Sequence, residues 1–264
     1  MVKNEVINIF FFCWRNNKVG LLLPKQLKGF QYSEFDVYYA ILNLKKSIPS
    51  NTNFIIFSDI ENILKSSILS EIAIVKNMWS DFQNLGACYK RLKLFEFCNQ
   101  KYLNQKCLML DLDILLGNLS LDFIHKYDMP MFLESYTPTG SIRIGGGLWV
   151  FRGGDFLNLY KEFKKNSDYW INLAKELSIG GSDQAILNML ARNYCKELTL
   201  IGEKEGIYLL SRVKKFQPKF NFSIVFSHGS HYQYSLRSFI LHPWIFKHFI
   251  KQFIARFYFS LRLK

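Results

Sequence analysis

Short apolar runs alternate with stretches of helical periodicity along most of the chain. Val6–Trp14, Asn53–Phe57, Glu71–Val75, Lys106–Leu110, Met129–Leu133, Gly147–Phe151 and Phe222–Phe226 are rich in apolar residues, many β-branched or aromatic, and predict strands. Glu34–Lys46, Ala87–Asn99, Gly154–Asn166, Asp168–Leu177 and Ser182–Arg192 carry their apolar residues at helical spacing. Strands alternating with helices predict a layered α/β sheet covered on both faces. The first run is apolar at almost every position, as a strand buried on both faces requires. No repeat or low-complexity linker divides the chain, so one main domain is expected. Sites in such folds form at the carboxyl ends of the strands, which directs attention to the polar residues just beyond each run.

The end of the chain follows a different pattern. From Trp244 it reads WIFKHFIKQFIARFYFSLRLK, and on a helix Ile245, Phe246, Phe249, Ile250, Phe253, Ile254, Phe257 and Leu261 form one stripe. Lys247, His248, Lys251, Gln252, Arg256 and Ser260 fall opposite, and Phe259 breaks the pattern. Charge sharpens this picture. The chain carries +13 overall, and no acidic residue follows Glu205, whereas ten Lys and Arg residues do. Such a skew implies an anionic partner. A Phe-rich basic amphipathic helix suits an anionic bilayer surface better than a nucleic-acid groove. Its cations recur too often for a membrane-spanning segment. The bland alternative is that the stripe packs on the protein's own core. The expected organisation is a domain over 1–243 and a membrane-associating segment over 244–264. Val6–Trp14 is too short to span a bilayer and lacks the leader of an export signal, so a cytoplasmic protein, peripheral on the inner membrane face, is expected.

Composition narrows the class. With 264 residues, 49% hydrophobic and 21% charged, the chain is too apolar for disorder and too varied for a rod. Five cysteines without CxxC or zinc-ligand spacing argue against a disulfide scaffold or a Cys-rich metal site.

The most informative chemistry lies in KCLMLDLDILLGNL, residues 106–119. Asp111 and Asp113 close an apolar strand, and their spacing puts both carboxylates on one side of extended backbone. Paired carboxylates repel unless a cation sits between them. Oxygen ligands at a sheet mouth suit Mg²⁺ or Mn²⁺, which can bridge a diphosphate. A DxD by itself is common, and its position after the LML run is what gives it weight. Nearby features add to it: Arg91 on the helix before that strand, three glycines at Gly145–Gly147, and Ser182 as a candidate N-cap with Asp183 and Gln184 in the first helical turn. His228 and His231 follow the last strand.

In this order the segments Tyr89-Lys90-Arg91-Leu92-Lys93-Leu94, Asp111-Leu112-Asp113, Gly147-Leu148-Trp149-Val150, Asp183-Gln184-Ala185-Ile186-Leu187-Asn188, His228-Gly229 and His242-Pro243-Trp244 resemble those of GT-A-fold glycosyltransferases, most closely family 8. The resemblance covers roughly residues 6–244. It implies a single Rossmann-like GT-A domain with a mixed central sheet, and transfer of a hexose from a nucleotide-sugar, UDP-linked by preference, to a glycan or lipid-linked acceptor such as lipopolysaccharide or capsule. It further implies that Asp111, Asp113 and His228 bind Mn²⁺ (or Mg²⁺) on the diphosphate, and that Arg91 lies near the donor. Asp183 and Gln184 would line the sugar pocket beside the anomeric carbon, with configuration retained. Ser58-Asp59 and Cys13-Trp14 would fall by the nucleobase and ribose. The family's Asn before the glycine turn is absent, and His242 replaces its late lysine, a role Arg237 can take.

The remaining residues are read singly. Glu134 reads as a simple loop carboxylate or as a group that binds a donor or acceptor hydroxyl, and Gly145, Gly146 and Gly147 as a tight turn or as glycines that permit close approach of backbone to a ligand. His231 and His242 read as structural or acceptor-side groups, His125 and His248 as surface residues, and Trp149 as core. Arg143 and Arg152, which flank the glycine run, read as solvated residues or as phosphate contacts. Two other classes remain open: a nucleic-acid-binding protein using the basic end, and a nucleotidyl- or phosphoryl-transferase. The first would need aromatics interleaved with cations. The second would usually need a glycine-rich phosphate loop near the first strand, and none follows Trp14. A catalytically dead scaffold is disfavoured by the intact DxD.

Overall fold

The computed structural model describes residues 5–14, 32–48, 51–80, 87–112, 114–117, 121–126, 128–137, 140–177, 182–215, 220–226 and 236–262. Ten strands occur among them: β1 (Ile7–Cys13), β2 (Thr52–Ser58), β3 (Ile74–Asn77), β4 (Lys106–Leu110), β5 (Ile114–Leu116), β6 (Met131–Tyr136), β7 (Ile142–Arg152), β8 (Thr199–Ile201), β9 (Ile207–Leu209) and β10 (Ile224–Phe226). Seven form the central sheet in the order β3-β2-β1-β4-β7-β6-β8, and β5-β10-β9 form a second, small sheet. β1 runs parallel to β2 and β4, whereas β7 lies antiparallel between β4 and β6. The carboxyl ends of β1, β2, β4, β6 and β8 therefore share one edge.

Helices cover both faces. α1 (Glu34–Ser47), α2 (Glu61–Leu64) and α3 (Ser67–Ile72) precede β3, while α4 (Ala87–Lys90) and α5 (Leu94–Lys101) precede β4. α6 (Phe123–Lys126), α7 (Leu157–Lys165), α8 (Ser167–Glu176) and α9 (Asp183–Tyr194) follow, and α10 (Leu236–Leu241) and α11 (Trp244–Arg262) end the described chain. β1 shows why its sequence is uniformly apolar. Ile7, Ile9, Phe11 and Cys13 enter the core beneath α1, while Phe10 and Phe12 enter the opposite core beneath α5, α7 and α9. Alternate residues serve alternate faces, so neither face can be polar. Each fully buried Phe contributes about 1.5–3 kcal/mol. Asn8, the one polar residue within β1, is buried and satisfied, donating to Gln105 and accepting from Asn53.

Several expectations change. Glu71 and Ile72 end helix α3 rather than starting a strand, because Ser66 caps Leu69 N at 3.0 Å and nucleates a helical turn there. The predicted 87–99 helix is split by a 3₁₀ turn at Arg91–Lys93. The helix placed at Gly154 starts at Leu157, because residues 154–156 form the turn before it. The glycine run is not a turn: Gly145–Gly147 lie inside β7. Gly153 is needed for close approach, since a Cβ there would sit 2.1 Å from the Tyr102 carbonyl oxygen. Backbone cannot yield as a side chain does, so Gly153→Ala should cost about 1–3 kcal/mol. Urea unfolding reads this directly, and an unchanged midpoint would contradict the crowding.

The last helix is held differently from its periodicity. Phe259, the pattern breaker, is buried against Phe35 and Tyr38 of α1, and Trp244 and Ile245 anchor the other end against Phe222 and the small sheet. Phe246, Ile250, Phe253, Ile254, Phe257 and Leu261 stay exposed, Phe253 at 64% and Phe257 at 60%. His248 is half-buried. It lies against the Phe222 and Trp244 rings, and burial, with Lys251 and Lys247 nearby, pushes it down to about 4.

Candidate active site

Arg91 lies in the 3₁₀ turn between α4 and α5, and that turn swings its side chain under the carboxyl edge of β4. Its Nη1 donates to Asp111 Oδ1 at 2.5 Å and its Nη2 to Asp183 Oδ1 at 2.9 Å. Arg91 Nε lies 2.7 Å from Asp183 Oδ2, but too bent for a hydrogen bond, so both atoms are buried without a hydrogen-bond partner. The Trp14 and Trp149 rings flank the guanidinium, with centroids 5.7 and 5.5 Å away, a cation–π pairing that supports a charge withdrawn from water.

Burial works against the Arg91 charge, but Asp183 and Asp111 more than restore it, and its pKa lies above the ordinary value. Burial raises both carboxyls, and Arg91 pulls them part of the way back. Asp183 is fully buried, while the Asp111 side chain keeps 33% of its exposure. Two carboxylates share one guanidinium, so with all three ionised the corner carries a net −1. Cys88 adds no nucleophile, because burial, then Asp183, pushes its thiol up to about 12.

Asp183 opens α9, with Ser182 at the N-cap position, although the Ser182 hydroxyl makes no capping bond. Asp183 Oδ1 also accepts from Gln184 N at 2.9 Å, an anion placed where a helix start favours one. Asn188, one turn further on, exchanges two 2.9 Å hydrogen bonds with the Ile144 backbone and donates to Gln184 O at 2.7 Å. It ties α9 to β7 and thereby sets the position of Asp183. The sequence placed Asn188 in a matching segment without giving it a role.

β7 completes the corner. Phe132 pairs with Trp149 but Leu133 pairs with Gly145, so Gly146–Leu148 bulge out of the β6 ladder. Gly146 faces the guanidinium: a Cβ there would lie 3.3 Å from Arg91 Nη2 and 3.6 Å from the Gln184 Cβ. Gly147 faces the other way, toward the Phe226 ring, and does not share this space. Ser58 is fully buried with its hydroxyl accepting from Ile60 N at 3.0 Å, so it shapes the turn after β2, with half-buried Asp59 beside it.

Glu134 belongs to a separate group on the same edge. It accepts from the Tyr136 hydroxyl, while the Arg212 guanidinium stacks 3.9 Å over the Tyr136 ring. Nothing in the residue pattern pointed to Tyr136 or Arg212, because their pairing joins β6 to a turn 76 positions later. Arg152 is tied to Glu5 and Asp128 rather than solvated. His125 is half-buried with its Nε2 enclosed and unpaired, and His242 is buried. Asp113, His228 and His231 lie outside the described residues, as does the side chain of Arg237. Among the described residues no three metal-ligating side chains cluster.

No protein-family model and no curated protein matches the sequence. Solved structures do match. A galactosyltransferase, LgtC, in complex with donor and acceptor sugar analogs aligns over 93% of this chain and 94% of its own, with a TM-score of 0.59 at 12% identity. An active-site Gln→Glu mutant of LgtC aligns over 84% and 87%, with a TM-score of 0.52 at 12% identity. The chain thus has the fold of these enzymes, a mixed sheet flanked by helices.

Proposed function

We propose that the chain is a glycosyltransferase that moves a hexose from a nucleoside-diphosphate sugar to a glycan or lipid-linked saccharide, with retention of configuration. The observation that carries this is the Arg91–Asp111–Asp183 corner at the carboxyl edge of a GT-A-like sheet. Its negative balance, which Asp113 would deepen, calls for a cation, and its oxygen donors suit Mn²⁺ or Mg²⁺. Asp111, with Asp113 and His228, would hold it. When bound, such an ion supplies positive charge to the departing diphosphate.

The chain's own residues do the rest. Asp183 Oδ2 can accept from a sugar hydroxyl, and the buried, unpaired Gln184 Nε2 can donate to one. An unspent amide donor beside an ion-paired carboxylate suits a polyhydroxylated ligand. The bond from anomeric carbon to diphosphate oxygen breaks, the acceptor oxygen takes that carbon, and the acceptor proton leaves with the nucleoside diphosphate.

The exposed stripe of α11, with Lys247, Lys251 and Arg256 on the same helix, supports peripheral docking on an anionic membrane, which we place on the cytoplasmic face. No described helix is long and apolar enough to cross one.

Thermal shift with UDP-glucose, UDP-galactose and GDP-mannose, each with and without Mn²⁺, tests the reading. A UDP-hexose should raise the melting temperature more with Mn²⁺ than without, and Asp111→Asn should abolish that difference. Flat melting curves with every sugar nucleotide would reject it.

A further inference from the structure

We propose that the groove between α1 and α11 seats the phosphate headgroup of a membrane lipid. This rests on the membrane-docking reading of α11 and is independent of the sugar-transfer chemistry. The groove encloses ≈650 Å³, and its polar lining comes from Tyr39, Asn43, Lys46 and Ser47 of α1 with Lys251 and Tyr258 of α11. Lysines from two helices thus face one space. Among the described residues neither is ion-paired with a carboxylate. Asn43 and Ser47 sit one turn apart on the same α1 face, each with a donor turned back to the helix backbone, on Tyr39 O at 2.9 Å and Asn43 O at 3.5 Å, so the two lysines supply the charge of the groove.

The occupant follows from what surrounds the groove. Ile254 and Tyr258 line it and also belong to the exposed apolar surface of α11, at 50% and 65% exposure. The polar hollow therefore opens directly onto the apolar stripe. A lipid meets both demands at once, with its phosphate between Lys46 and Lys251 and its acyl chains beside Ile254, Phe257 and Leu261. A soluble phosphate would use only the first. Toward its inner end the groove adjoins a smaller hollow that also takes in Asp36. That acid is committed to the start of α1: its Oδ2 accepts from Ser33 N and Ser33 Oγ, each at 2.8 Å. It repels a phosphate that moves inward and so favours the outer position. Lys251 lines both hollows.

Charge-matched variants of the full chain separate a seat from diffuse attraction. Lys46→Gln with Lys251→Gln removes both groove cations. Lys45→Gln with Lys247→Gln removes two from the same helices that do not line the groove. All four side chains are exposed, so the folds should survive. Binding is measured by sedimentation with vesicles of phosphatidylglycerol in phosphatidylcholine, and of phosphatidylcholine alone. The groove pair should weaken binding to the phosphatidylglycerol vesicles roughly tenfold more than the control pair, since diffuse attraction weights each lysine about equally. Equal losses in the two pairs would overturn the seat while leaving membrane docking intact. Failure of the unaltered protein to bind either vesicle would overturn both.

Discussion

An Arg91→Met protein should lose about 3–5 kcal/mol of folding stability together with its turnover. Arg91 is 6% exposed, and its guanidinium is the only described cation meeting Asp111 and Asp183. Methionine keeps much of the side-chain volume between Trp14 and Trp149 but leaves a fully buried Asp183 without its counter-charge. The dependence on pH has a definite sign. Burial already holds the Asp183 carboxyl above its ordinary value, and removing Arg91 raises it further. A carboxyl raised by folding favours the folded state below its unfolded pKa, and that contribution is lost as pH rises through the folded value. The deficit of the variant is therefore greatest at neutral pH and shrinks as the solution is acidified. Adding Asp183→Asn should recover much of the stability and none of the turnover. Urea titrations at two pH values give the answer, and a loss under 1 kcal/mol at neutral pH would show that the corner does not depend on this cation.

Replacing Phe253 and Phe257 together with serine should release the protein from anionic vesicles with little change in melting temperature. Both rings are mostly exposed and lie on the side of α11 away from its anchors. Each ring withdrawn from water contributes about 1.5–3 kcal/mol, so the pair should weaken partitioning on the order of a hundredfold or more. Phe259→Ser should behave the opposite way, lowering the melting temperature by opening the contact with Phe35 and Tyr38. If the double variant sediments with vesicles as the unaltered chain does, the stripe is not the membrane contact.

The reach of sequence reasoning is clear in these two cases. Strand β4 ending just before Asp111, helix α9 opening at Asp183 and the position of Arg91 before β4 were all legible, because continuous apolar runs and helical patterning mark such boundaries locally. The Arg91 bridge was not legible as a bridge: it spans 92 positions to Asp183 and depends on a 3₁₀ turn that helical periodicity does not distinguish. The amphipathicity of α11 was legible, but not which side it buries. The periodicity put Ile245 in the stripe and left Phe259 outside it, and only the placement of α1 and the small sheet makes both of them anchors. Short strands such as β8 and β9 went unseen, since three residues carry too little periodicity.

The bulge at Gly146 constrains how the chain can diversify. The wall of the corner there is bare backbone, with Arg91 and Gln184 at contact distance from any added methyl group. A mutation at this position that enlarged a side chain would press on the guanidinium before it touched a substrate. New sugar preferences would thus have to arise from segments that close over the corner from outside the sheet, leaving this strand as an inherited floor on which different roofs can be tried.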